Sequence, residues 1–393
     1  MSGTPSGKPG PLILAPSLRP ALWGGRALVT RFGKPGAPAA RFGESWECWD
    51  ENPIARGATA GATLADERAR MGAALVGTLD PAAPFPVLTK LIDAAGDLSV
   101  QVHPDDREAA RLDGAANGKS ECWYVLEAAA SSALWLGWRR PTTPAEIRER
   151  IAAGTLTELL RRVPVAPGDA FYVPAGTVHA IGGGIVLFEA QQNSDLTYRL
   201  YDYGRLGADG KPRPLHLEKA LAVVDVTDDR ALSIAEPSAS DTSAFGAIRT
   251  LAPLLISDDR ARRELLIGDP RFPLERIVLG SETLRVATAR MPLVLMPLSA
   301  PLELDCGDGR QTVAAYETAL VPPACETALL HAPQAPTTVL AVAPASDAAA
   351  LLARLVSANA DPEEAETFLA AFQRPSVEPK APVARVSAVR ADR

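Results

Sequence analysis

Short segments in which apolar and polar residues alternate recur along the chain, separated by glycine and proline. In LSVQVHP, Val100 and Val102 face one way and Gln101 and His103 the other, as in a half-buried strand. The segments ECWYVLEA and SALWLGW predict the next two strands, and APGDAFYVPAGTVHAIGGGIVLFEAQQ predicts several short strands broken by turns. A second β-rich region covers residues 264–343. The pattern therefore predicts a mainly β protein.

Apolar residues at helical spacing mark residues 60–76, residues 142–163 and the chain after residue 345. In the last of these, DPEEAETFLAAF places Asp361 where it can cap a helix and Pro362 in the first turn. The stretch HLEKALAVVDV predicts a short helix or an irregular connection. Helices are thus expected as additions to a β framework.

Composition limits the possible functions. The chain has 393 residues, which is enough for two domains, and its formal charge of −7 does not suit a nucleic-acid-binding surface. Its four cysteines form no CxxC pair, and no apolar run reaches the length of a signal peptide or a membrane span. We therefore expect a cytoplasmic protein with reduced thiols and neither nucleic-acid nor membrane partners.

Four residues are candidate metal ligands in a chain that has only four histidines. Gln101 and His103 share one face of a strand, Glu121 begins a neighbouring strand, and the tight turn in PAGTVH leads to His179. Two imidazoles, a carboxylate and an amide oxygen suit zinc or a similar divalent ion and leave room for water or substrate. The alternative is that each histidine is a structural residue.

The second β-rich region contains a weaker copy of the turn before His179. Its segment YETALVPPACETALLH is similar to FYVPAGTVHAI when Pro322 is aligned with Pro174. Thr327 then occupies the position of His179. The second region is accordingly predicted to be a related barrel without the metal ligand.

The motifs also resemble known families. The spacing of Gly168, Pro174, Gly176 and His179 resembles the second motif of cupin barrels, whereas the HxH of the first cupin motif is absent, which disfavours a cupin oxygenase. Six motifs in order resemble type I phosphomannose isomerases of the shorter bacterial form: ALWGG, GESW, TKLIDAAGDLSVQVHPDD, GKSECWYVL, GDAFYVPAGTVHAIG and EAQQNSDLTYRLYDYGR. The resemblance is strong over residues 11–225 and loose over the second barrel.

This resemblance implies a fold and a reaction. The fold would be a pair of cupin-like β-barrels (double-stranded β-helix, jelly-roll) with additional helices and a helical C-terminal extension. The reaction would be the interconversion of mannose 6-phosphate and fructose 6-phosphate by proton transfer through an enediol-like intermediate, with one Zn²⁺ per chain. The partner would be a small-molecule sugar phosphate, and the chain is expected to be a monomer or a homodimer.

The resemblance also assigns residues. It implies the metal ligands Gln101, His103, Glu121 and His179, the catalytic residues Arg199, Lys90, Lys119 and Asp195, and the substrate-binding residues Lys119, Trp46 and Trp23. Arg199 would stabilise negative charge on the substrate, and the base stays open between Lys90 with a lowered pKa and a group near the metal. Ser120 departs from the proline that many members have at this position.

Taken together, the patterns and the resemblance predict five segments. These are a disordered N-terminus (1–10), a catalytic cupin domain with helical additions (11–250), a metal-free cupin-like barrel (251–345), a helical extension (346–374) and a disordered tail (375–393). The rival interpretation is a non-catalytic, metal-containing cupin that binds sugar phosphates.

Overall fold

The computed structural model describes residues 10–207, 210–227, 231–234, 249–256, 260–307 and 309–373. The predicted disordered tail lies outside the described residues, as does the predicted disordered N-terminus up to residue 9. Strands far outnumber helices in the part of the chain that is described, so the prediction of a mainly β protein is confirmed.

The elements are numbered in chain order. The strands are β1 Leu12–Leu14, β2 Ser17–Arg19, β3 Glu44–Cys48, β4 Ile54–Arg56, β5 Val87–Ala94, β6 Val100–Val102, β7 Glu121–Ala128, β8 Ala133–Trp138, β9 Leu160–Pro164, β10 Ala170–Val173, β11 His179–Ile181, β12 Ile185–Gln192, β13 Tyr198–Tyr201, β14 Leu232–Ile234, β15 Arg249–Leu251, β16 Leu254–Ile256, β17 Ala261–Ile267, β18 Leu274–Leu279, β19 Leu284–Ala287, β20 Leu293–Pro297, β21 Leu302–Asp305, β22 Arg310–Val313, β23 Thr318–Val321, β24 Thr327–His331 and β25 Thr337–Val342. The α-helices are α1 Ala27–Thr30, α2 Leu64–Met71, α3 Ala73–Val76, α4 Asp106–Asp113, α5 Pro144–Ala152, α6 Leu217–Val223, α7 Ala348–Ser357 and α8 Pro362–Ala370, and the 3₁₀ helices are Leu156–Leu159 and Pro323–Cys325.

Two sets of eight consecutive strands, β5–β12 and β18–β25, have the same arrangement. In the first set, the order β10-β7-β12-β5 runs through one sheet and β6-β11-β8-β9 through another. In the second set, β23-β20-β25-β18 and β19-β24-β21-β22 repeat these orders strand for strand. Each set is a jelly roll with apolar side chains packed between its two layers. The predicted pair of cupin-like barrels is therefore confirmed.

The similarity between the two turn motifs is also present in the structure. His179 begins β11 and pairs with Gln101 of β6, while Thr327 begins β24 and pairs with Ala287 of β19. Corresponding strand positions thus carry two candidate metal ligands in the first barrel and a threonine and an alanine in the second.

The prediction of one helix over residues 142–163 is wrong in its second half. Helix α5 ends at Ala152, and Gly154 adopts a positive φ of 71°, which glycine tolerates and other residues avoid. After the short 3₁₀ helix Leu156–Leu159, the chain enters strand β9, whose residues alternate between inward and outward positions and pair with β8. Pairing with a neighbouring strand here overrides the helical spacing.

The predicted division at residue 250 stays a prediction, because residues 235–248 lie outside the described residues. The sheets do not divide at that point. Strand β1, near the N-terminus, pairs with β23 of the second barrel, and β4 pairs with β1. N-terminal strands therefore extend the sheet of the C-terminal barrel.

The helices α7 and α8 occupy the segment that was predicted to be a helical extension, and α7 is fixed to the second barrel by a buried ion cluster. Arg354 of α7 donates from Nη2 to Glu275 Oε2 of β18 at 3.3 Å, and Arg263 of β17 donates from Nε to Glu275 Oε1 at 2.6 Å. All three side chains are at most 6% exposed. Each carboxylate oxygen of Glu275 thus has its own arginine.

We expect Arg354→Met to lower the free energy of unfolding by about 2 kcal/mol, because it leaves a buried carboxylate oxygen of Glu275 without its partner. Urea unfolding followed by circular dichroism measures the change. The control is Arg310→Met, which removes an exposed pair with Glu303 and is expected to cost less than about 1 kcal/mol. Equal losses in the two variants would show that the buried cluster does not hold α7 in place.

Candidate active site

Strand pairing in the first barrel brings the four candidate metal ligands together. His179 lies directly opposite Gln101 on β6, and Glu121 begins β7 beside the end of β10. The turn between β10 and β11 is fixed to the loop after β6, since the Gly176 N–H donates to the His103 carbonyl at 2.9 Å. Gly176 has a φ of 88°, a conformation that favours glycine. The spacing seen in the sequence therefore reflects a real convergence.

The ligand atoms of His103, Glu121 and His179 all lie within 4.8 Å of one another, and all three residues are buried. Glu121 Oε2 is 3.4 Å from His103 Nε2, and Glu121 Oε1 is 3.2 Å from His179 Nε2. Gln101 Nε2 is 3.2 Å from His179 Nε2, and a half-turn of the amide exchanges its nitrogen and oxygen at this place. The cluster thus offers two nitrogens and up to two oxygens to one point.

The other nitrogen of each imidazole is bound to a backbone carbonyl. His103 Nδ1 lies 2.7 Å from the Leu196 oxygen and His179 Nδ1 lies 2.9 Å from the Thr177 oxygen, so each Nδ1 carries the proton. Burial lowers the pKa of His103 to about 3 and also lowers the pKa of His179. Both rings are therefore neutral, with the Nε2 lone pairs directed at Glu121. This is the arrangement in which histidine binds a metal.

The donor set fits a divalent cation. Burial alone would raise the pKa of Glu121, but the positive charge of Lys119 holds it well below its usual range, so the carboxylate is ionised. Within the described chain, Glu121 Oε1 is buried and accepts no hydrogen bond, although it lies close to His179 Nε2. A cation bound between these two acceptors would satisfy both of them. Tetrahedral zinc takes nitrogen and carboxylate ligands of this kind.

Lys119 lies at the same point as the candidate ligands. Its Nζ is 2.5 Å from Glu121 Oε2 and 3.1 Å from His103 Nε2, and its side chain is 5% exposed. The structure therefore places this predicted catalytic and substrate-binding lysine at the metal end of the site.

A cavity of about 500 Å³ adjoins the candidate ligands through Gln101, which contacts His179, and Lys119, which contacts His103 and Glu121. It is lined by Pro20, Ala21, Leu22, Trp23, Glu44, Lys90, Ile92, Leu98, Ser99, Gln101, Lys119, Ile181, Glu189, Asp195, Thr197, Arg199 and Arg213. The cavity has the size of a small-molecule site, and seven of these seventeen residues are charged. Of the predicted catalytic residues, all four line it: Arg199, Lys90, Lys119 and Asp195.

Lys90 is a buried cation between two carboxylates. Its Nζ is 3.4 Å from both Glu44 Oε2 and Glu189 Oε1. Burial would lower the pKa of Lys90, but the charges of Glu44 and Glu189 outweigh this effect and raise it. The alternative that Lys90 is a base with a lowered pKa is therefore not supported: its ammonium stays protonated at neutral pH.

The two predicted tryptophans have different positions. Trp23 lines the cavity, whereas Trp46 is not part of the lining and packs behind it. The ring of Trp46 lies 5.1 Å from Lys90 Nζ, and its Nε1 donates to Glu44 Oε2 at 2.7 Å. Trp46 therefore contacts charged residues of the wall, and its contact with substrate stays a prediction.

Arg199 projects into the cavity from β13, the strand next to β6. Its Nε donates to Ser99 Oγ at 3.2 Å and its Nη1 donates to the Pro214 carbonyl at 3.0 Å. Burial, and then the charge of Arg213, lowers the pKa of Arg199. Within the described residues the guanidinium has no ion pair with Asp195, which is exposed at the cavity. Asp195 therefore does not hold Arg199 in place by an ion pair.

Sequence reasoning missed several residues of the site. Glu44, Glu189 and Arg213 line the cavity. His216, which carries no motif, holds the backbone of Arg199: its Nδ1 accepts the Arg199 N–H at 3.2 Å and its own N–H donates to the Arg199 carbonyl at 2.8 Å. One signal was available, since a glutamate inside the apolar strand IVLFEAQQ requires a partner, and Lys90 is its cross-strand neighbour.

Comparison with known proteins identifies relatives of this chain. The family profile "Phosphomannose isomerase type I, catalytic domain" matches residues 13–123. Mannose-6-phosphate isomerase ManA of Bacillus subtilis is 45% identical over 222 residues, which cover 55% of this chain and 68% of the relative. Mannose-6-phosphate isomerase of Streptococcus mutans is 34% identical over 318 residues, which cover 79% of this chain and 89% of the relative.

A solved structure is similar over most of the chain. The crystal structure of the mannose 6-phosphate isomerase from Bacillus subtilis superposes with a TM-score of 0.72 at 28% identity, covering 85% of this chain and 99% of that one. The likeness therefore extends over both barrels. Separately, no helix among the described residues is long and apolar enough to cross a membrane.

Proposed function

The chain belongs to the type I phosphomannose isomerase family, and we propose on this basis that it interconverts mannose 6-phosphate and fructose 6-phosphate with one zinc ion per chain. The observation that carries the proposal is the convergence of His103, Glu121 and His179 next to Gln101 and Lys119, which line a cavity of small-molecule size. We assign the metal to these three residues together with Gln101. The zinc ion would act as a Lewis acid that polarises the sugar oxygens.

The protein residues of the cavity have distinct roles in the proposed reaction. Moving a proton between adjacent sugar carbons places negative charge on an enediol-like intermediate. Arg199 keeps its charge and presents a planar set of donors, so it stabilises that oxyanion. Lys90 is held protonated by Glu44 and Glu189, and contributes fixed positive charge and hydrogen-bond donors instead of accepting a proton.

Lys119 and Asp195 complete the proposed catalytic group. Lys119 lies against two of the proposed ligands, so it acts at the reacting end of the sugar. Asp195 is exposed at the cavity and is accessible to the sugar hydroxyls. Trp23 forms an apolar part of the same wall.

The rival interpretation is a non-catalytic cupin that binds sugar phosphates and keeps the metal for structure. Such a protein need not keep the whole set of predicted catalytic residues, yet Arg199, Lys90, Lys119 and Asp195 all line the cavity. We therefore favour the isomerase. A cytoplasmic location is also proposed, because the four cysteines are buried free thiols, as expected in a reducing compartment.

The test is a coupled assay that converts mannose 6-phosphate to fructose 6-phosphate, run before chelation, after chelation and after zinc is restored. We expect activity to be lost with the metal and recovered with it, because the polarising charge is supplied by the bound ion. Metal content is measured in parallel. A folded, zinc-loaded protein without activity would favour the sugar-binding cupin.

A further inference from the structure

Arg213 is a cavity residue with no assigned role, and it lies on the side of Arg199 away from the metal ligands. Strand pairing places the backbone of Arg199 opposite Gln101. The guanidinium of Arg199 reaches the carbonyl of Pro214, the residue next to Arg213. Arg199 therefore lies between the metal end of the cavity and Arg213, which marks a second end.

The guanidinium of Arg213 is held in place before any ligand binds. Its Nε donates to Asp202 Oδ2 at 2.7 Å and its Nη2 donates to Asp202 Oδ1 at 2.5 Å. Asp202 is 5% exposed and is also bound by Arg205. Among the described residues, Arg213 Nη1 has no acceptor, while the side chain as a whole is 22% exposed. A fixed arginine with a free donor, facing a cavity, is prepared for an anion.

The charge at this end of the cavity is not balanced. Arg205 and Arg213 share the single carboxylate of Asp202, and among the described residues the side chain of Arg199 bonds only to the neutral oxygens of Ser99 and Pro214. Asp195 adds one negative charge at the cavity wall. An excess of positive charge remains, and a phosphate monoester, which carries close to two negative charges at neutral pH, would neutralise it.

We propose that Arg213 binds the phosphate group of the sugar phosphate, with the charge of Arg199 adding to the attraction, and so selects phosphorylated over free sugars. This inference rests on the proposed function, since it places the sugar between the metal end and the Arg213 end. It also separates the roles of two neighbouring arginines. Arg199 acts on charge that develops during the reaction, whereas Arg213 holds a charge that is present throughout.

The test compares Arg213→Gln with Arg68→Gln, a matched control that removes a guanidinium from another aspartate, the half-buried Asp50, away from the cavity wall. An interaction that is equally strong in the bound substrate and in the transition state affects KM and leaves kcat unchanged. Arg213→Gln is therefore expected to raise the KM for mannose 6-phosphate at least about tenfold and to change kcat less than about threefold. The inhibition constant of inorganic phosphate should rise in parallel. Arg68→Gln should change each value less than about twofold.

Free mannose provides the decisive comparison. Because it lacks the phosphate, its kcat/KM should be the same in Arg213→Gln as in the unchanged protein. An equal loss toward mannose and mannose 6-phosphate would overturn the proposal, and so would equal effects of Arg213→Gln and Arg68→Gln. Arg213→Lys keeps the charge without the planar fork, and an intermediate KM is expected for it.

Calorimetric titration of inorganic phosphate into the zinc-loaded proteins separates this proposal from the proposed function. If the unchanged protein binds phosphate and Arg213→Gln does not, the anion site stands even where no isomerase activity is found. If both bind phosphate equally, the site is wrong whether or not the chain is an isomerase. Thermal unfolding checks the fold, and if Arg213→Gln does not fold, a several-fold weaker binding by Arg213→Lys supports the site and unchanged binding overturns it.

Discussion

Substituting His179 with alanine is expected to remove the zinc ion and to lower turnover at least about a thousandfold. The imidazole begins β11 and directs Nε2 at Glu121, while its Nδ1 proton is bound to the Thr177 carbonyl. No other side chain of β11 can take its place, because the remaining residues of the strand are alanine and isoleucine. The metal would be left with an incomplete set of ligands.

The repeated barrel supplies the control for this substitution. Thr327 begins β24 as His179 begins β11, so Thr327→Ala changes the equivalent position of a barrel whose corresponding strand residue is Ala287. Zinc content and turnover should be unchanged in Thr327→Ala. Metal analysis and the coupled assay are run on both variants, with thermal unfolding to confirm that each is folded. A His179→Ala protein that retains stoichiometric zinc would contradict the assigned ligand set.

Three of the four predicted ligands, Gln101, His103 and His179, could be proposed from local sequence patterns. Alternation along LSVQVHP sets Gln101 and His103 on one face, and the proline–glycine turn fixes where His179 enters its strand. That Glu121 lies beside them depends on which strands become neighbours, and the family resemblance supplied this information. In the structure, β11 pairs with β6 and so sets His179 opposite Gln101, while Glu121 reaches His179 from β7 of the other sheet.

The parts of the site that sequence reasoning missed are set by tertiary pairing. The partners of Lys90 are Glu44, which lies two residues before its cross-strand neighbour Trp46, and Glu189, which is directly opposite on β12. No periodicity in the segment around Lys90 indicates these neighbours, so the sign of its pKa shift could not be predicted. In the same way, β9 forms in a segment with helical spacing because β8 offers it a pairing edge.

The contact between the two barrels is also set by tertiary structure and could not be predicted from sequence patterns. Arg271, in the loop before β18, donates to Asp269 and, from Nη1, to Gln192 Oε1 at 2.9 Å. Gln192 Oε1 also accepts the backbone N–H of Ser120, which lies between Lys119 and Glu121. A residue of the C-terminal region thus supports the segment that carries a proposed metal ligand. Proline has no backbone N–H, so a proline at position 120 could not donate this hydrogen bond to Gln192, whereas the serine of this chain does.

Replacing Arg199 with alanine is expected to leave zinc binding intact and to lower kcat by about a hundred- to a thousandfold, the usual cost of losing one charged donor to a developing oxyanion. The side chain bonds to Ser99 and Pro214 and not to any proposed ligand. Its backbone pairing with Gln101 survives the substitution, so the metal site keeps its strand register. Steady-state kinetics and metal analysis on the same samples measure both quantities.

Arg161→Ala is a suitable control, because this guanidinium also donates to backbone carbonyls, those of Leu136 and Trp138, but does not line the cavity. Its kcat should stay within about threefold of the unchanged protein. Guanidinium ion added to Arg199→Ala should restore part of the lost turnover, since it can occupy the vacated space and supply the charge. Loss of zinc from Arg199→Ala would instead assign this arginine to the support of the metal site.

The comparison of Arg199→Ala with Arg213→Gln separates the roles of two arginines on one wall of the cavity. Arg199→Ala is expected to change kcat and Arg213→Gln to change KM, because only Arg199 meets charge that appears during the reaction.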